Sequence, residues 1–182
     1  KFLKKMKKKK KIKNKIKISL LIENLNGIYN LEKMIHSTKR IDTIIYGEED
    51  FLNDIEYFSF NSEPKIDFYR NLITFIAKKN SLKVIYTPYL YIKNILGLKK
   101  HINLSKKFGF TGLLIVHPSQ INIANKLYLP SKQDYLTSLK ILNMKKSLKY
   151  EGQNILVSKG KLLGPPMIKR AKKIIEFYEK FK

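Results

Sequence analysis

The chain has no cysteine among its 182 residues, which excludes disulfides and thiolate metal sites. No apolar run approaches the roughly 20 residues needed to cross a bilayer, so no membrane partner is expected. There is no Walker A loop, no dinucleotide fingerprint and no Ser/His/Asp or Cys/His nucleophile set. Arginine is scarce, being confined to Arg40, Arg70 and Arg170. Acidic residues are few as well: 14 Asp and Glu face 38 Lys and Arg, a net charge of +24.

Such a charge raises the question of nucleic acid, because basic faces neutralise phosphates and release counterions. Phosphate recognition favours the bidentate fork of arginine, whereas the excess here is lysine. Ile and Asn are abundant too, the drift expected of A+T-rich coding. Coding bias is therefore the preferred source of the charge, and a lysine-rich nucleic-acid binder is a lesser reading. The length fits one domain with a small extension, and 43% hydrophobic residues supply a core. The chain starts at Lys1 and not at Met, which gives the expectation of a longer parent protein.

Residues 1–17 form a basic, low-complexity segment, densest from Lys7 to Lys11, and its self-repulsion predicts disorder. It lacks the apolar core of a secretory signal. From Ile18 the texture becomes periodic. Strands are predicted at Ile18 to Ile22, Thr43 to Tyr46, Leu82 to Ile85 and Gly112 to Val116. Between them fall helical patterns. Ile28, Leu31, Met34 and Ile35 mark the first. Pro64 opens a second, Lys65 to Lys79, with Phe68, Leu72, Phe75 and Ile76 on its apolar face. The third runs from Leu98 to Phe108 and is closed by Gly109. Pro118 starts a short helix, and Ser131 caps another that runs to about Leu148. A short strand is predicted at Asn154 to Val157, and Pro165-Pro166 begins a last helix. Four alternations with short links predict parallel strands and right-handed crossovers. The fold class is α/β: about the last four units of a (β/α)8 barrel over residues 18–130, with a helical extension over 131–182.

Two acidic residues follow apolar runs that read as strands buried on both faces: Glu23 after Leu20-Leu21-Ile22, and Asp50 after Ile44-Ile45-Tyr46 and Gly47-Glu48-Glu49. Chemistry in α/β folds gathers at such strand ends. Magnesium takes one or two carboxylates and completes its shell with water and substrate oxygens. By spacing alone, a metal site and two merely solvated carboxylates are equally supported. Gly47 permits a tight turn whose N–H groups can face an anion, although an ordinary strand-to-helix turn explains it slightly better. His117 after the fourth strand reads first as a structural residue and second as a catalytic one. His36 and His101 read as surface or packing residues. Tyr86, Tyr89 and Tyr91 could stack on bases, but core packing is their commoner fate.

Taken in order, these stretches resemble the citrate lyase beta-chain-like family of the HpcH/HpaI aldolase superfamily. Leu21 to Gly27 resembles its strand-five motif, Arg40 to Phe51 its strand-six motif, and Gly109 to Ile121 its strand-eight signature. Lys161 to Ala171 resembles its C-terminal segment. The resemblance implies a magnesium-dependent carbon–carbon lyase acting on the CoA or acyl-carrier thioester of a hydroxy acid. Glu23 and Asp50 would be the Mg2+ ligands, and the backbone of Gly47, Glu48 and Glu49 would hold a keto-acid carboxylate. A homotrimer is implied as well. The chain departs from the pattern in three places. The family's earlier strands carry a substrate-gripping Arg that nothing before Ile18 supplies. Gly164 stands where many members have an acid–base Asp, and the loop Tyr86 to Tyr89 lacks a common acidic residue. These departures sustain an alternative, a non-catalytic member that binds a ligand or a partner subunit.

Overall fold

A computed structural model of the chain describes residues 16–62, 64–146, 156–158 and 161–181. Most of the basic segment lies outside these residues. Its last part does not: the Ile16 carbonyl accepts a 2.9 Å hydrogen bond from Arg40 Nε. The chain divides into two compact units, the first ending at Ala124 and the second beginning at Asn125.

The first unit carries the predicted alternation. Strand β1 (Ile18–Ile22) leads to two short helices, α1 (Leu25–Tyr29) and α2 (Leu31–His36). Strand β2 (Ile41–Tyr46) is followed by α3 (Glu48–Asp54) and α4 (Asp67–Lys79). Strand β3 (Lys83–Tyr86) leads to α5 (Ile95–Phe108), and β4 (Gly112–Leu113) to a 3-10 turn at Pro118–Gln120 and then α6 (Ile121–Tyr128). The four strands pair in parallel in the order β1-β2-β3-β4, as consecutive strands of a (β/α)8 barrel do. Ile22 lies beside Tyr46, and Ile44 beside Val84. These residues and Tyr86 are buried under Leu31, Ile35, Phe51, Ile73 and Ala77 from the helices.

Three expectations need correction. The first strand is not buried on both faces: β1 is an end strand of the sheet, its exposure alternates, and Leu21 is exposed. The fourth strand is shorter than Gly112 to Val116. Leu114 N–H still reaches the Tyr86 carbonyl at 3.0 Å, but Pro88 soon follows on the partner strand and offers no N–H to continue the ladder. The apolar face of α4 is also rotated. Its buried positions are Arg70, Ile73, Thr74 and Ala77, whereas Phe68 and Phe75 are 67% and 65% exposed. Leu72 and Ile76 flank the buried face. A charged residue at the centre of that face hides it from a count of apolar residues.

The boundary signals served better. Asn94 caps α5 by accepting from Gly97 N–H at 2.8 Å, so the helix begins at Ile95, three residues before the predicted start. Gly109 ends that helix at φ +90, where the Phe110 N–H bonds back to the Ser105 carbonyl at 3.1 Å. His101, on α5, is half-buried against the rings of Tyr86 and Tyr89, and its Nε2 donates to the Thr87 carbonyl at 3.1 Å.

The second unit holds α7 (Lys132–Lys146) and α8 (Pro165–Lys180), together with an antiparallel pair, β5 (Leu156–Ser158) and β6 (Lys161–Leu163). Of the strand expected at Asn154 to Val157, the first two residues lie outside the described set, as does the expected end of α7 near Leu148. Ser131 caps α7 as predicted: Asp134 N–H donates to its hydroxyl at 3.0 Å and Ser131 N–H returns to the Asp134 carboxylate at 3.2 Å. Tyr135 stacks on Tyr178 at 4.4 Å and donates to Glu179 Oε1 at 3.0 Å. Among the described residues no helix is long and apolar enough to cross a membrane.

The fold generates two expectations. The Tyr46 hydroxyl is buried and has no hydrogen-bond partner among the described residues. Replacing Tyr46 with Phe should therefore raise stability by about 1 kcal/mol, read from urea denaturation. For His101, burial pulls the imidazole below its usual range against the opposing bond to Thr87. A lowered pKa means the unfolded chain binds the proton more readily, so the contribution is complete above about pH 6.5 and fades as pH falls below it. Urea midpoints between pH 7.5 and 5 should show that slope, and H101Q should flatten it.

Candidate functional site

The ends of β1 and β2 are stitched together one residue beyond the last strand pair. Gly47 N–H donates to the Ile22 carbonyl at 2.9 Å, which brings Gly47 beside Glu23. A Cβ on residue 47 would stand 3.1 Å from Glu23 Cβ and 3.4 Å from Glu23 Oε2. Glycine thus leaves the Glu23 carboxylate room to lie over the turn. Asn24 then turns the chain into α1 by accepting from Gly27 N–H at 2.7 Å. Leu25 N–H donates to Asp54 at 2.7 Å, tying the start of α1 to the end of α3.

Beyond Gly47, three acids occupy the first turn of α3, where the positive end of the helix favours them. Their fates differ. Glu49 and Asp50 are exposed, and among the described residues neither Glu23 nor Asp50 is in an ion pair. Glu48 turns into the core, where its side chain is only 12% exposed. Arg70 Nε donates to its Oε2 at 3.0 Å and Nη2 to its Oε1 at 3.0 Å, and the Tyr86 hydroxyl adds a third bond at 3.0 Å. Arg70 is 3% exposed, sends Nη1 to Asp67 at 2.9 Å and lies over the rings of Tyr86 and Phe108. Burial opposes its charge, but the hydrogen bond and charge of Glu48 outweigh burial and hold its pKa above the ordinary value. Burial first, and the Glu48 charge second, push the Tyr86 phenol up as well.

Of the five residues singled out in the sequence, Glu23 and Gly47 are in contact, and Asp50 follows one helical turn later. The Glu48 side chain is spent on Arg70, so only its main chain is left for a ligand. Gly47 N–H is spent on Ile22. The donors left at this turn are the first N–H groups of α3; that of Glu48 makes one long contact, 3.4 Å, to the Thr87 hydroxyl. Among the described residues no three or more His, Cys, Asp and Glu side chains form a metal cluster. Two carboxylates completed by water and substrate oxygen suit magnesium without such a cage.

Two further residues escaped sequence reasoning. Arg70 carried only a faint signal: it is one of three arginines in a lysine-rich chain and stands three residues after Asp67. Gln120 carried none beyond its place after His117-Pro118-Ser119. It is buried, donates to the Tyr89 carbonyl at 2.8 Å and accepts from Val116 N–H at 3.3 Å, so it pins the β3–α5 loop to the segment after β4. His117 itself is exposed and caps the 3-10 turn, its Nδ1 accepting from Ser119 N–H at 3.2 Å, which matches its structural reading. Tyr86 is a core residue and Tyr91 an exposed one, 5.7 Å from Tyr89. Gly164, in the second unit, is the extended residue that precedes Pro165 at the start of α8.

Residues 2–118 match the family described as HpcH/HpaI aldolase/citrate lyase. Citrate lyase subunit beta of Haemophilus influenzae is 26% identical over 160 residues, covering 88% of this chain and 55% of that protein. Mitochondrial citramalyl-CoA lyase of Homo sapiens is 24% identical over 162 residues, covering 85% of this chain and 48% of that protein. The chain thus spans about half the length of the curated relatives it matches. Among solved structures, the Mycobacterium tuberculosis protein CitE in complex with magnesium, acetoacetate and coenzyme A aligns with a TM-score of 0.77 at 18% identity, covering 90% of this chain and 61% of that one. A citrate lyase from Burkholderia xenovorans aligns at 0.83 and 12% identity, covering 98% and 58%. The parallel β/α units are therefore a partial barrel of that fold, as the sequence led us to expect, and the chain belongs to the HpcH/HpaI aldolase/citrate lyase family.

Proposed function

We propose that this chain carries the metal- and carboxylate-binding part of a magnesium-dependent carbon–carbon lyase acting on the CoA or acyl-carrier thioester of a hydroxy acid. The observation that carries the reading is the junction of β1 and β2. There a Cβ on residue 47 would crowd Glu23 at 3.1 Å, so glycine leaves the carboxylate room, and an exposed aspartate follows in the first turn of α3. Relatives named citramalyl-CoA lyase and citrate lyase subunit beta, and a structural neighbour described with magnesium, acetoacetate and coenzyme A, support the same chemistry.

Glu23 and Asp50 supply two carboxylate ligands. Together they would hold magnesium, which would supply Lewis-acid polarisation of the hydroxy- or keto-acid oxygens. Gly47 contributes by lacking a side chain, and the N–H groups of Glu48 and Glu49, at the positive end of α3, receive the acid's carboxylate. In cleavage the substrate hydroxyl loses its proton and the carbon–carbon bond breaks. The electron pair moves to the carbon next to the thioester, which then takes up a proton. Gly164 cannot take part in either transfer.

Gly164 also favours a second reading, a family member that binds the ligand without turning it over. Assays of the full-length protein with citramalyl-, malyl- and citryl-CoA separate the two. The enzyme reading expects keto-acid release that requires added magnesium and falls on the order of 100-fold or more in E23A and in D50A. Magnesium-dependent thioester binding with no product identifies the non-catalytic reading. Turnover unaffected by either substitution overturns both assignments of the carboxylates.

A further inference from the structure

The buried fork between Arg70 and Glu48 has no part in the chemistry above, yet it grips the residue between Gly47 and the remainder of the α3 first turn. We propose that Arg70 is a positioning residue: through Glu48 it sets the angle at which α3 leaves β2, and so where Asp50 and the Glu48 and Glu49 N–H groups stand relative to Glu23. The inference rests on reading Glu23 and Asp50 as magnesium ligands.

Three observations carry it. First, the fork is rigid at both ends. The Arg70 side chain is held on α4, whose neighbouring positions Ile73 and Ala77 are buried in the core, and Asp67 and the Tyr86 and Phe108 rings fix the guanidinium plane. Second, both Glu48 oxygens are engaged, Oε1 by one donor and Oε2 by two, so the carboxylate has one orientation. Third, Glu48 is the first residue of α3 and Asp50 lies in the same helical turn. A rotation of Glu48 therefore carries Asp50 with it. Packing alone does not demand this arrangement, because an apolar pair of similar volume is often as stable as a buried ion pair. What an apolar pair lacks is direction. A lysine keeps the charge but cannot form the two parallel bonds.

The test is magnesium binding by calorimetry in the absence of substrate, on the full-length wild type and on R70K, E48Q and Y86F, each checked for cooperative unfolding. Groups that orient metal ligands from behind cost about tenfold or more in affinity when changed, and R70K and E48Q should lose that much. Y86F, which removes one hydroxyl donor and leaves the fork, should lose less, and it serves with E48Q if R70K fails to fold. Turnover by R70K should recover as magnesium is raised, which a purely structural defect would not do. Wild-type affinity in folded R70K and E48Q overturns the positioning role alone, provided E23A and D50A abolish binding. A wild type that binds no magnesium overturns the ligand reading and this inference together.

Discussion

Arg70 and Glu48 meet where neither charge could remain alone. Removing one member of a buried ion pair typically costs about 3–5 kcal/mol, and here Glu48 would keep only the Tyr86 hydroxyl and Arg70 only the exposed Asp67. An exposed pair such as Lys79 with Glu32 stays in water, which screens it and weakens its contribution. The contrast singles out the fork. It joins α4 to the first residue of α3, the Tyr86 hydroxyl ties it to β3, and the Phe108 ring brings in the end of α5. Two consecutive β/α units thus share one polar contact inside an otherwise apolar core. The turn after β2 then keeps a fixed place on the sheet even though Glu49 and Asp50 face water.

Much of this molecule could be read from local signals. The strand at Ile18–Ile22, the glycine that closes α5, the Ser131 cap and the double proline before α8 each declare themselves within a few residues, because turn and cap chemistry is local. The strand end before Glu23 was legible for a related reason, a carboxylate directly after an apolar run, and Gly47 marked the turn that leads to Asp50. What stayed hidden was long-range. Arg70 and Glu48 are 22 residues apart, and nothing in either neighbourhood announces the other. The same blind spot misplaced the face of α4, since a count of apolar residues cannot select a face centred on an arginine. Gln120 was missed because its partner, the Tyr89 carbonyl, is a main-chain group on another loop.

The first unit shows how labour is divided around a strand end. Side chains at the turn are sorted by exposure: those facing solvent are free to meet a ligand, and the one facing inward holds the turn. Gln120 does the same after β4, where one amide bonds both Val116, three residues past the strand, and the neighbouring loop. Both devices lie at the carboxyl ends of parallel strands, where α/β folds tend to place chemistry. Both spend a buried polar side chain on backbone geometry. The family match covers this region, and the described second unit adds a helix pair and a hairpin that pack on themselves.

Glu23 and residue 47 share one small volume. A methyl group gained at 47 would require the Glu23 backbone or the turn to give by a few tenths of an ångström, because the tight contact is with the Glu23 Cβ. Such a change would alter the reach of the carboxylate together with the shape of the turn. A side chain at 47 is therefore coupled to the placement of the Glu23 carboxylate. Among homologues, covariation between these two sites would mark a change in how the carboxylate is presented.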